Sequence, residues 1–130
     1  MAVVTTEKLG RDMRASANAL AEGTGFVPQS RDQPLSAGDL LFYLDNTTMP
    51  MAGFLRENGL FVDGAGLHFD PARFADIRAV AQAVIGDYRA GDRSGAWQRF
   101  DLSEDEDVEG NGTYILVVLA VLERLYGSAA

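Results

Sequence analysis

Residues 113–126 read TYILVVLAVLERLY. Ile115, Leu116, Val117, Val118, Leu119, Val121, Leu122 and Leu125 leave almost no polar face before Glu123 and Arg124. The β-branched residues suit a strand, but Leu122-Glu-Arg-Leu-Tyr126 has helical spacing and Gly127 is a good stop. We therefore expect a helix over 113–126. A helix with no polar face needs cover on every side. It is either the central helix of its own domain or a helix that also packs against another chain. Burial of one large aliphatic side chain stabilises by about 1.5–3 kcal/mol, so this segment should dominate the stability of the fold. Its unbroken apolar run, Tyr114–Leu122, is well short of the roughly 20 residues a bilayer span requires.

Immediately upstream, residues 101–109 read DLSEDEDVE. Asp101, Glu104, Asp105, Glu106, Asp107 and Glu109 put six acids into nine residues with no base among them. The whole chain carries a net charge of −8, and outside this stretch the balance is only −2. The domain is thus nearly neutral with one acidic loop, and that loop is a candidate contact for a basic partner. Phosphate-backbone binding needs clustered cations, and here bases occur singly or in loose groups such as Lys8/Arg11/Arg14. Nucleic acid is not expected as a partner. Asp105, Asp107, Glu109 and Gly110 fall at calcium-loop spacing, but the twelfth position is Leu116 where a bidentate Glu is required. No metal site is assigned.

Further upstream, Asp70-Pro71 is a strong helix start, with an acceptor at the N-cap and proline in the first turn. Phe74, Ile77, Ala81, Val84 and Tyr88 mark one stripe of a helix running to about Ala90, with Val80 and Ile85 beside it. Before it, about residues 60–69, lies a β-hairpin candidate: Asp63-Gly-Ala-Gly66 is turn chemistry between apolar arms. Alternation puts Leu67 and Phe69 on one face and His68 on the other. Two short helices precede the hairpin, one after Ser36-Ala-Gly-Asp39 and one over about Pro50–Asn58, the latter with Met51, Phe54 and Leu55 inward. Thr5 or Thr6 caps a first helix reaching about Glu22, with Leu9, Met13, Ala17 and Leu20 as its stripe. A helical turn over Ala96–Phe100 completes the inventory. The expected fold is α+β and mostly α-helical: one compact domain over 1–130, with a small hairpin and a central apolar C-terminal helix.

The order helix, turn, helix, hairpin over 36–69 resembles a winged-helix layout. Its second helix offers only Arg56 and Asn58 beside Glu57, so the layout implies protein contact rather than DNA reading.

Chemistry is sparse. There is no cysteine, which excludes thiolate nucleophiles, disulfides and zinc–thiolate sites. His68 is the single histidine, no serine sits in a G-x-S-x-G setting, and Asp70 two residues on is better used as a helix cap. Gly23-Thr-Gly25 and Gly64-Ala-Gly66 lack the rest of a nucleotide-binding fingerprint. No catalytic residue and no cofactor is assigned. MAVVTTEKLG at the N-terminus has no basic start with an apolar stretch, so a cytoplasmic protein is expected, or one within a virion or complex assembled there. The reading that best fits is a non-catalytic interaction or assembly protein. It would be a subunit of a larger complex, a self-associating chain or an inhibitor- or immunity-type binder, with no membrane association. The alternative is a small-molecule-binding domain or small enzyme with a pocket near His68, Tyr43 and Trp97.

Overall fold

The computed structural model describes residues 2–16, 20, 38, 40, 41, 44, 49–93, 95–100, 102 and 108–127. The C-terminal segment forms α5 (Val108–Tyr126), the longest helix among them. It lies antiparallel against α3 (Phe74–Ala90), which follows a single 3-10 turn at Pro71–Arg73. Arg89 near the end of α3 pairs with Glu109 at the start of α5 at 2.7 Å. Arg78 near the start of α3 pairs with Glu123 near the end of α5.

Helix α5 starts five residues earlier than its apolar pattern indicates and runs straight through Gly110-Asn-Gly112. A glycine inside a helix normally costs about 1 kcal/mol against alanine. At Gly112 the Ile85 side chain of α3 takes the space a side chain would use: a Cβ there would lie 2.6 Å from Ile85 Cγ1 and 2.8 Å from its Cδ1. Glu109 in the first turn adds a favourable interaction with the positive end of the helix dipole.

The helix is central, as its composition requires. Ile115, Val118, Leu119, Val121 and Leu122 are buried, and Leu116, Val117, Leu125 and Tyr126 are partly buried against the same core. The chain supplies this cover itself, so the apolar circumference of α5 does not by itself demand a second chain. On α3, Phe74, Ile77, Ala81, Val84 and Ile85 face inward as the spacing predicts. Tyr88 stays on the surface and stacks on Trp97 instead.

The hairpin forms as β2 (Phe61–Asp63) and β3 (Gly66–Phe69), joined by Gly64-Ala65. A third strand was not expected. β1 (Ala2–Val4) lies antiparallel to β3, giving the order β1-β3-β2 with β3 in the middle. Val4 comes so close that a Cβ at Gly66 would collide with its carbonyl, and Gly66 holds φ at 126°. Gly66 therefore serves the packing of β1 as well as the turn. Three-residue strands carry almost no periodic signal, which is why β1 is invisible in the sequence.

Helix α1 (Thr6–Ala15) is capped by the Thr5 hydroxyl, which accepts from the Lys8 amide at 3.1 Å. It stops at Ser16, earlier than Glu22, although Leu20 is again helical and fully buried. α2 (Met49–Glu57) buries Met51, Phe54 and Leu55 as expected. Residues 38, 40, 41 and 44 before it are helical. The short α4 (Ala96–Arg99) carries Trp97 into the core.

The two ends of the described chain meet. Tyr126 donates its hydroxyl hydrogen to Asp12 Oδ2 at 2.6 Å, and Lys8 Nζ reaches the same oxygen at 2.6 Å. The Tyr126 ring also stacks on Phe69 with centroids 5.3 Å apart. The Lys8 ammonium, and then the Tyr126 hydroxyl, hold the Asp12 carboxyl below its ordinary range. Burial, and then the bond to Asp12, push the Tyr126 phenol up.

Two outcomes follow from this packing. Gly112→Ala gains helix propensity but overpacks Ile85, and should destabilise by about 1–2 kcal/mol in urea unfolding. A stabilised variant would mean that the helices are free to part. Tyr126→Phe should cost about 1 kcal/mol near neutral pH, reduced from a fully buried charged bond because both groups are partly solvated. The depressed Asp12 carboxyl contributes above the unfolded value near pH 4 and loses that contribution as pH falls through its folded value. The raised Tyr126 phenol contributes below about pH 10 and loses it above. The difference between wild type and Tyr126→Phe should therefore be greatest between those limits and shrink on both sides.

Candidate functional site

The outward face of the sheet gathers the polar and aromatic groups best placed for contact. His68 sits on the central strand, directly opposite Val3 of β1 and Phe61 of β2. Alternation turns Leu67 and Phe69 into the core and leaves Val3, His68 and Phe61 side by side on the other face. The His68 and Phe61 rings stack at 4.3 Å, 10° from parallel. The Arg56 guanidinium, from the last turn of α2, lies over the Phe61 ring, 4.6 Å from its centroid. Val3 is 51% exposed, the most open large apolar side chain among the described residues.

His68 finds its carboxylate partner across the turn rather than two residues on. Its Nε2 lies 2.8 Å from Asp63 Oδ1. That oxygen also accepts from the Ala65 amide at 2.8 Å, so Asp63 builds the turn and orients the imidazole together. The bond to His68, then that of the amide, lowers the Asp63 carboxyl below its usual value. Asp70 caps the helix that follows, accepting from the Ala72 amide at 3.1 Å. Only 15% of the His68 side chain is exposed, because Phe61 and Asp63 cover it. The arrangement fits a cross-strand packing residue. The Asp63 partnership escaped the sequence reading because it depends on register: residues 63 and 68 become diagonal neighbours only once the two-residue turn is set.

Trp97 is buried, and its indole N–H donates to the Leu102 carbonyl at 2.9 Å. Arg93 donates to the same carbonyl and lies over the Trp97 ring. Trp97 thus anchors the entry to the acidic stretch. Tyr43 lies outside the described residues.

Of the acidic stretch, Glu109 belongs to α5 and is engaged by Arg89, whose guanidinium lowers its carboxyl. Asp101, Glu104, Asp105, Glu106 and Asp107 lie outside the described residues. The chain on either side is fixed, with Leu102 and Val108 both buried. Among the described residues no group of three His, Asp or Glu is placed to hold a metal ion, and no helix is long and apolar enough to cross a membrane.

A cleft of about 150 Å³ opens beside the sheet face, between α2 and β2. It is lined by Leu44, Ala52, Leu55, Arg56, Leu60, Phe61 and Val62, of which Leu55 and Leu60 are buried. His68 lies behind the Phe61 wall. Comparison with protein-family models, with curated proteins and with solved structures finds no match to this chain.

If His68 is a packing residue, its ring matters more than its charge. His68→Ala should destabilise by about 1 kcal/mol, whereas His68→Phe, which keeps the stack, should unfold within about 0.5 kcal/mol of wild type. Equal losses in urea unfolding would assign the effect to the bond with Asp63.

Proposed function

We propose that this chain is a non-catalytic protein-contact module, acting on a protein partner or on a second copy of itself. The observation that carries the reading is the half-exposed Val3 beside the stacked His68 and Phe61, an apolar and aromatic strip on the outer face of the sheet. Isolated apolar residues on a surface mean little, but aromatic groups held rigid by stacking lose little freedom on contact and suit an interface. The acidic run ending at Glu109 adds the electrostatic part of the reading. Six acids in nine residues would speed encounter with a basic surface and select for it more than they would tighten it.

The test has two arms. Light-scattering mass across a concentration series reads self-association, and affinity capture from the native host reads a separate partner. Wild type should form a complex in one of them, and Val3→Asp should lose it while keeping its helical content. Replacing Glu104, Asp105, Glu106 and Asp107 by their amides should slow association and flatten its dependence on salt. A wild-type monomer whose captured set is identical to that of Val3→Asp would sink the reading.

A second reading has its own support. The cleft between α2 and β2 is lined by apolar side chains and Arg56, with polar and apolar atoms sharing its surface about equally, a mixed lining for a small ligand.

A further inference from the structure

We infer that Asn58-Gly59, at the joint between α2 and β2, is a site of spontaneous modification: the Asn58 side-chain amide is lost and the residue becomes aspartate or isoaspartate. Asparagine is among the thermolabile residues. The reaction needs the backbone nitrogen of the next residue to reach the asparagine Cγ, and a following glycine hinders that approach least. The chain holds two such pairs, Asn58-Gly59 and Asn111-Gly112. Local sequence makes them equals, and the fold separates them.

Asn111-Gly112 lies inside α5. Helical backbone points the Gly112 N–H along the helix axis, and Gly112 is buried against Ile85 of α3. Freeing that nitrogen means parting the two helices of the core. Asn58-Gly59 instead closes α2. The Gly59 amide donates to the Arg56 carbonyl at 3.0 Å and the Leu60 amide to the Leu55 carbonyl at 2.9 Å, the paired bonds of a helix end with glycine just beyond it. Gly59 holds φ at 80°, and both residues are half-buried. Asn58 Nδ2 donates to the Phe54 carbonyl at 2.9 Å. Two bonds therefore restrain the reacting groups, and both belong to a helix terminus, the part of a helix that opens most readily. On opening, the Gly59 nitrogen gives its proton to solvent base and bonds to Asn58 Cγ. The Cγ–Nδ2 bond breaks, and Nδ2 takes a proton from water and leaves as ammonia, giving a succinimide. Water then opens the ring. Breaking the bond from nitrogen to Cγ leaves aspartate, and breaking the bond to the main-chain carbonyl carbon leaves isoaspartate. Either product exchanges the donor that faces the Phe54 carbonyl for a carboxylate.

The test holds the full chain folded in mildly alkaline buffer, with samples taken over time and digested with trypsin. Asn58 falls in the peptide Glu57–Arg73 and Asn111 in Phe100–Arg124. The first peptide should gain the mass of an amide turned to acid and split into two isomers on chromatography. The second should lag by more than about tenfold, because its opening is that of the core. In concentrated urea, where neither helix persists, the two should convert at similar rates. Asn58→Gln keeps the amide donor but has to close a larger ring, and should leave the first peptide unconverted. Equal rates in the folded chain, an Asn58 amide that lasts there as long as that of Asn111, or conversion in Asn58→Gln would each overturn the inference.

Discussion

The close approach of α5 to α3 at Gly112 is the constraint on which the other elements depend. Without a side chain there, Ile85 fills the space between the helices, and ion pairs at both ends fix their antiparallel alignment. Once that alignment is set, Tyr126 arrives at Phe69 of the central strand and at Asp12 of α1. The sheet and the first helix are therefore docked onto the C-terminal end of α5. A glycine that weakens a helix in isolation is what allows the helix to serve as the core of the domain.

That geometry also decides what the sheet shows to solvent. One face of β3 is taken up by Leu67 and Phe69 against the helices, so His68 must point the other way. There it is covered by Phe61, tied to Asp63 and left beside an open Val3. The single histidine of the chain is thus accounted for by packing and turn chemistry. The Phe61 ring of that stack also carries the Arg56 guanidinium, and both residues line the neighbouring cleft. Structural need and contact potential arise from one set of side chains.

The long periodic elements were legible because their signals are redundant. Asp70-Pro71 and the stripe of α3 agree on a helix, and Leu122–Tyr126 agrees with Gly127 on the end of another. The N-cap of α1, the inward face of α2 and the hairpin arms also stand where their residues put them. What escaped depends on contacts distant in sequence. β1 is three residues long and is specified by Gly66, more than sixty positions away. Gly110 and Gly112 look like a break, and only for Gly112 does the proximity of Ile85 supply the reason. Asp63 meets His68 through the register of a turn, and the cleft exists only where α2 and β2 converge. Of the candidate residues, His68 and Trp97 proved to be packed side chains with defined partners, and Glu109 a helix residue paired with Arg89.

The acidic stretch gains a mechanical argument from its surroundings. Leu102, its second residue, has its carbonyl held by both Trp97 and Arg93, and its last two residues, Val108 and Glu109, open α5. Leu102 and Val108, at either side of residues 103–107, are both sunk into the core. Arg89 pairs with Glu109, the last acid of the stretch. The concentrated charge of an otherwise balanced chain is thus entered and left, in sequence, through two side chains that belong to the core.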